Sequence, residues 1–420
     1  MSDEFDYDSG DRTESGRAEP VAVGAPRRRM SRLERIRARR NHARRRVVAL
    51  ASVAVLAAVV FAAIFLGAKF FRSSTGDYTG EGKDDIVIQV HDGDSTTQIG
   101  QTLRDQDVVA NVKSFVDASK DNAAIAAIQP GFYRMRTEMS AAAAVQRLGD
   151  PGTRVGKLVI PEGRQLDDVK AVGSDKTTEG IFTLIADASC VELNGQRKCV
   201  AAEDLRKVAE QADPSALNVP DWAMKPVTAL GNNHRRLEGL IAPGAWNVDP
   251  SGSAQQILAT LIAESAERYV KGGLLDSAAT MKISPYEILI VASLVQKESK
   301  PADFAKVARV IYNRLASDYN RLEFDSTVNY PLDRQEVATT DADRHTETPW
   351  NTYAKAGLPA TPICSPGDDA LAAAERPEPG NWLYFVTVDK EGTTLFTDDY
   401  QQHLANIQRA QSSGVLDSGR

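Results

Sequence analysis

The apolar positions of this chain fall into three kinds of run. The longest is residues 47–66, V-V-A-L-A-S-V-A-V-L-A-A-V-V-F-A-A-I-F-L, which holds no charge and is long enough to cross a hydrocarbon core as a helix. The second is residues 284–301, S-P-Y-E-I-L-I-V-A-S-L-V-Q-K-E-S-K-P. Ser284 with Glu287 three residues later is a capping box, and Pro285 suits a first helical position, so a helix starts there and stops near Pro301. Ile288, Leu289, Ile290, Val291, Ala292, Leu294 and Val295 make it apolar on all sides, which predicts a helix enclosed by other elements. The third kind is short and periodic. Residues 86–90, I-V-I-Q-V, and 158–162, L-V-I-P-E, read as strands, and Gly131-Phe132-Tyr133 reads as a strand entry. Ile99 and Leu103 sit one helical turn apart, and residues 112–119 and the stretch after Ser140 read as helices. Further helices are expected from about Leu166, over residues 254–272, and over residues 303–315, where Phe304, Val307, Ala308, Ile311 and Leu315 recur at helical spacing. Residues 322–330, L-E-F-D-S-T-V-N-Y, look like the entry to a β-rich run. Residues 186–233, with Pro214, Pro220 and Pro226, show few periodic runs and take no assignment.

Composition adds a compartment. At 420 residues the chain exceeds one domain's usual size, and 42% hydrophobic with 25% charged is ordinary globular material. Its charge is unevenly placed. Residues 27–46 hold eleven arginines and one acid, Glu34, directly before the apolar run. The positive-inside rule keeps the amino terminus in the cytoplasm and puts everything after Lys69 outside. Residues 1–26, acidic and rich in Ser, Gly and Pro, read as a disordered tail. The remainder is acidic and argues against nucleic acid as a partner, but not against an uncharged polymer such as a glycan. Cys190 and Cys199 flank V-E-L-N-G-Q-R-K, whose Asn194-Gly195 step is a turn signal, so a disulfide closing a small hairpin is expected, as suits an oxidising compartment. Cys364, with Pro362 and Pro366 around it, reads as a buried small hydrophobe and not a nucleophile.

Chemistry enters with Glu298. It follows Val295, Leu294 and Val291 by three, four and seven residues, so its side chain continues their face. Burial and the negative end of the helix dipole both raise the pKa of such a carboxyl, while Lys297 and Lys300 oppose them. A carboxyl still protonated near neutrality can donate a proton to a leaving group. The plainer alternative is that Glu298 frays into water at a helix end. There is no H-E-x-x-H, G-x-S-x-G or Gly-rich phosphate loop, so neither a metal, a cofactor nor a serine triad is expected. Trp246, near Glu238 in a Gly- and Pro-punctuated loop, is either an aromatic platform for a sugar or a core residue. His403 reads as a structural hydrogen-bonder before a catalytic partner.

Five motifs occur in order: L-E-G-L-I-A-P at 237–243, A-S-L-V-Q-K-E at 292–298, V-A-R-V-I-Y-N-R-L at 307–315, L-E-F-D-S-T-V-N-Y at 322–330, and W-N-T-Y-A-K-A-G-L-P-A-T-P-I-C-S-P-G at 350–367. In this the chain resembles the YceG-like endolytic murein transglycosylases, from the apolar span to about residue 410. The resemblance implies a lytic transglycosylase with its catalytic acid at Glu298, and substrate contacts at Glu238, Asn313, Asp325, Thr327, Tyr330, Asn351 and Tyr353. It implies that Glu298 protonates the MurNAc–GlcNAc glycosidic oxygen and then takes the proton of the muramic 6-hydroxyl, leaving a 1,6-anhydro end. Cutting within nascent strands close to the membrane would terminate their elongation, with cell-wall synthases such as penicillin-binding proteins as partners and no cofactor. Two departures stand out. Some relatives carry Glu where this chain has Gln296, which lies about 200° around the helix from Glu298. Relatives often carry Asp where this chain has Gly244. The competing class is a non-catalytic, membrane-anchored peptidoglycan-binding scaffold for synthases.

The expected fold class is α+β. Residues 1–46 form the cytoplasmic tail and Arg-rich segment, 47–68 a single transmembrane helix, 69–84 a linker, and 85–150 a small LysM-like module that implies contact with N-acetylated glycan. Residues 151–410 form a larger α+β catalytic domain with the Cys190/Cys199 hairpin inserted, and 411–420 a tail. The chain is thus expected in the plasma membrane, single-pass, with the catalytic part extracytoplasmic.

Overall fold

The computed structural model describes residues 76–415, apart from 121, 123, 124, 126, 127, 171–175 and 333–338. The expected membrane span and cytoplasmic segment lie outside the described residues. Among the described residues no single helix is long and apolar enough to cross a membrane. The fold is a mixture of helices and small antiparallel sheets, and everything described belongs to one compact unit.

The amino-terminal part runs β1 (Asp85–Val90), α1 (Thr96–Asp105), α2 (Val112–Ser119), β2 (Gly131–Arg136), α3 (Ala141–Gly149) and β3 (Arg154–Val155). Its three strands form one sheet in the order β1-β2-β3, with Ile88 opposite Tyr133. Each helix begins where a side chain satisfies a free amide: Ser95 with Gln98 in a capping box, Asn111, and Ser140. Ile88, Leu103, Phe115, Met135 and Leu148 build a core of their own under this sheet. Burying one such side chain contributes roughly 1.5–3 kcal/mol.

The larger part continues with β4 (Lys157–Ile160), β5 (Val169–Lys170), β6 (Thr177–Thr178), α4 (Ile181–Ala188), β7 (Val191–Leu193), β8 (Gln196–Lys198), α5 (Ala202–Gln211) and α6 (Asp221–Ala229). Then come β9 (Gly244–Asn247), α7 (Ala254–Lys271), α8 (Leu274–Met281), α9 (Pro285–Glu298) and α10 (Phe304–Ala316). The chain ends with α11 (Asp325–Asn329), α12 (Asp341–His345), α13 (Asp368–Glu375), β10 (Tyr384–Thr387), β11 (Thr394–Thr397) and α14 (Tyr400–Ser413). β4 pairs with β9 and β10 with β11. At the centre is α9, capped by Ser284 and Glu287, with every residue from Ile288 to Val295 buried. It packs on α6, α8, α10, α11 and α13, so its apolar faces are all consumed by protein.

Two expectations are corrected. No helix starts at Leu166. The Asp168 carboxylate instead accepts from the Gly180 amide at 2.6 Å and the Thr183 hydroxyl at 2.8 Å, and the helix begins at Ile181. Residues 325–329 form a helix and no strand, because Thr327 Oγ1 bonds back to the Phe324 carbonyl at 2.6 Å and the Tyr330 amide to Ser326 O at 3.0 Å. The Cys190–Cys199 disulfide does close a hairpin, β7 to β8, with Asn194 and Gly195 at positive φ, 52° and 75°. That hairpin also ties down the amino-terminal sheet: Asp85 and Asn194 exchange two hydrogen bonds, at 2.8 and 2.9 Å.

Gly156, between β3 and β4, has φ of 71°, and a Cβ there would stand 1.9 Å from the Val248 carbonyl oxygen. Gly156→Ala is therefore expected to cost roughly 3 kcal/mol, seen as a lower urea midpoint at unchanged slope. An unchanged midpoint would contradict the close approach.

Candidate active site

Glu298 is the last residue of α9, and at Ser299 the chain turns sharply to extended backbone (φ −150°, ψ 177°). The helix places its carboxyl against the start of α11, where Asp325 and Ser326 are its neighbours. Protein crowds it on nearly every side, yet it keeps some solvent contact. Burial pushes its pKa up to about 7, and the Asp325 carboxylate adds to the rise. The Ser326 hydroxyl and amide and the Arg314 guanidinium pull the other way.

Asp325 sits beside it with a different set of partners. Its Oδ1 accepts from Thr339 Oγ1 and from the Tyr353 hydroxyl, both at 2.8 Å, and Arg344 pairs with it at 3.2 Å. Arg344 also lies over the Tyr353 ring, 4.9 Å from its centroid. The two neighbouring carboxyls thus have different surroundings: Asp325 is bonded to three donors, while burial disfavours the charged form of Glu298.

Of the residues expected to touch substrate, Asp325 and Tyr353 are half-buried and near Glu298. Asn313 is half-buried and occupied, its amide donating to the Gly380 and Trp382 carbonyls at 3.1 and 2.9 Å, which fixes the approach to β10. Glu238, Thr327, Tyr330 and Asn351 correct the expectation, because each is at most 2% exposed. Thr327 Oγ1 meets Thr352 Oγ1 at 2.9 Å, and Asn351 donates to the carbonyls of Asp343, Arg344 and Thr346. Glu238 accepts from the Tyr330 hydroxyl at 2.8 Å and the Leu166 amide at 3.2 Å. These four brace the chain around α11. Arg314, Ser326, Thr339 and Arg344 were missed: Arg314 and Ser326 stand inside the quoted motifs, while Thr339 and Arg344 carry no local signal.

Other candidates resolve simply. Trp246 packs on the main core with Nε1 bonded to the Ala242 carbonyl at 2.9 Å, the structural alternative. Cys364 is fully buried, and burial pushes its thiol up to about 12. Gln296 Oε1 accepts from the Gly367 amide at 2.8 Å, a bond that a glutamate would accept equally. At Gly244, φ is 124° and a Cβ would lie 2.8 Å from the Arg268 guanidinium, which donates to the Pro243 carbonyl and pairs with Asp368. Arg268 thus fills the space beside the Gly244 backbone. His403 stacks on Tyr384 at 4.9 Å and its Nδ1 has no partner among the described residues.

The molecule is therefore an α+β protein whose candidate site is built at the carboxyl end of a helix buried from Ile288 to Val295. Its family is narrower: a model described as the YceG-like family matches residues 88–409, and the chain belongs to that family. The chain is 27% identical over 326 residues to a Bacillus subtilis protein named endolytic murein transglycosylase, covering 77% of this chain and 84% of that one. A Streptococcus pneumoniae protein of the same name is 24% identical over 336 residues, and the chain spans 58% of it. The solved structure of a YceG-like protein from Listeria monocytogenes is 27% identical, covers 77% of this chain and 99% of its own, and has a TM-score of 0.47.

Glu238 is also raised to about 7, chiefly by burial, with the Tyr330 hydroxyl and Leu166 amide opposing. Its Oε1 has no partner among the described residues. A carboxyl whose folded pKa lies above its unfolded value stabilises the fold fully below the unfolded pKa, and this is lost as pH rises through about 7. Across that window the contribution is on the order of 3 kcal/mol. Urea denaturation of wild type and Glu238→Gln at acid and alkaline pH should show wild type losing ground to the variant as pH rises. A stability gap independent of pH would contradict this.

Proposed function

We propose that the protein is an endolytic peptidoglycan lytic transglycosylase, cutting the MurNAc–GlcNAc bond with Glu298 as the acid. The observation that carries the reading is a carboxyl at the end of a buried helix whose pKa is raised to about 7, beside an aspartate tied to Thr339, Tyr353 and Arg344. The names of the Bacillus and pneumococcal relatives support the same activity. Glu298 donates its proton to the glycosidic oxygen, and the C1–O bond breaks. The anomeric carbon develops positive charge, which the neighbouring Asp325 side chain stabilises. Glu298, now a carboxylate, takes the proton of the muramic 6-hydroxyl as that oxygen bonds to the anomeric carbon, which closes the 1,6-anhydro ring and restores the acid. No water is consumed. A hydrolase would need a second carboxylate to activate water or to capture the sugar, whereas Asp325 is tied to Thr339, Tyr353 and Arg344.

In the same reading residues 47–68 anchor the chain in the plasma membrane with the amino terminus inside, and residues 85–150 are a LysM-like module that touches the glycan. The separate core and β-α-α-β order of the amino-terminal part support such a module. Cutting near the membrane ends the growth of nascent strands, and the synthases that extend them are the natural partners.

Mass spectrometry of digested strands is the test. Wild type should generate 1,6-anhydromuramic ends, and Glu298→Gln should lower their rate of formation by about 10³-fold. Equal anhydro content from both would overturn the reading and favour the scaffold. Asp325→Asn removes the charge that raises the Glu298 pKa, so the alkaline limb of kcat/KM should move to lower pH. A limb that stays in place would remove Asp325 from the account.

A further inference from the structure

Around Arg314 and Tyr384, two tyrosines stand open to solvent: Tyr319 is 49% exposed and Tyr400 54%. They are not isolated. Arg314 is 8% exposed and is held by the Leu322 and Leu383 carbonyls, at 2.5 and 2.6 Å. Its guanidinium carbon lies 6.0 Å from the Tyr319 ring centroid and 5.3 Å from that of Tyr384. Tyr384 in turn stacks on His403 at 4.9 Å and meets Tyr400 at 5.6 Å, tilted by 53°. The cation and the half-buried Tyr384 make a fixed base, and the two rings attached to it keep free surface. Because Arg314 also lowers the Glu298 pKa, the row begins within electrostatic reach of the acid.

Exposed rings on a rigid base present flat, electron-rich faces at little entropic cost. The axial C–H bonds of a pyranose, each slightly positive, pack on such faces, while its hydroxyls stay in water. We propose that Tyr319 and Tyr400 form a carbohydrate-stacking subsite, set on Arg314 and Tyr384, that grips a pyranose of the strand at a distance from the cleaved bond. The inference rests on the glycan-cleaving reading above. The subsite sets affinity for long strands and leaves the chemical step to Glu298.

The probe is purified, uncrosslinked glycan strands binding to the full chain in nanodiscs, carrying Glu298→Gln so that strands stay intact. Tyr319→Ala and Tyr400→Ala should each weaken binding roughly three- to tenfold, with Tyr400→Phe retaining affinity because the ring remains. In the chain with Glu298 intact, the same alanine variants should raise KM for long strands while kcat holds. Both positions are largely exposed, so circular dichroism should show the variants folded. Unchanged affinity in both alanine variants overturns the subsite, even if 1,6-anhydro ends still form. Anhydro ends missing from wild type, with strand binding still sensitive to Tyr319 and Tyr400, would instead overturn the activity and leave the subsite standing.

Discussion

The burial of α9 is the constraint on which the site depends. A helix that spends Ile288 through Val295 on packing in all directions has no freedom to move its last turn toward water, so Glu298 is carried into the protein by the same contacts that stabilise the core. Desolvation then favours the neutral carboxyl. Stability and chemistry are not separate layers here, since loosening α9 would let water reach Glu298 and return it to an ordinary acid.

The element beside Glu298 uses different physics. α11 is only five residues long and too short to hold itself, so its position comes from outside. Thr327 bonded to Thr352, Asn351 bonded to three carbonyls, and Tyr330 bonded to buried Glu238 fix it. Around its first residue Arg344, Thr339 and Tyr353 supply donors to Asp325. The buried polar residues therefore determine where those beside Glu298 can stand.

This explains what was legible in the sequence. α9 and α10 carry their own signals in the capping box, Pro285 and apolar spacing, and the Asn194-Gly195 turn carries its own in the left-handed conformation those residues tolerate. The five-residue helix at Asp325 has no such signal, because tertiary hydrogen bonds impose it. The polar residues of the motifs pointed to the right neighbourhood and to the wrong role for four of them. An asparagine that binds sugar hydroxyls and one that binds buried carbonyls look identical in sequence, and only the burial of Asn351, 1% exposed, separates the two. Arg344 and Thr339 reach Asp325 from 19 and 14 residues further along the chain, where no local pattern records the pairing.

The central claim is that Glu298 is a neutral acid at neutral pH because α9 buries it. The most direct test is a carbon-13 NMR titration of glutamate carboxyls, with the Glu298 resonance assigned by its loss in Glu298→Gln. The account predicts a midpoint near 7 for that resonance, and a midpoint at the ordinary glutamate value would contradict it.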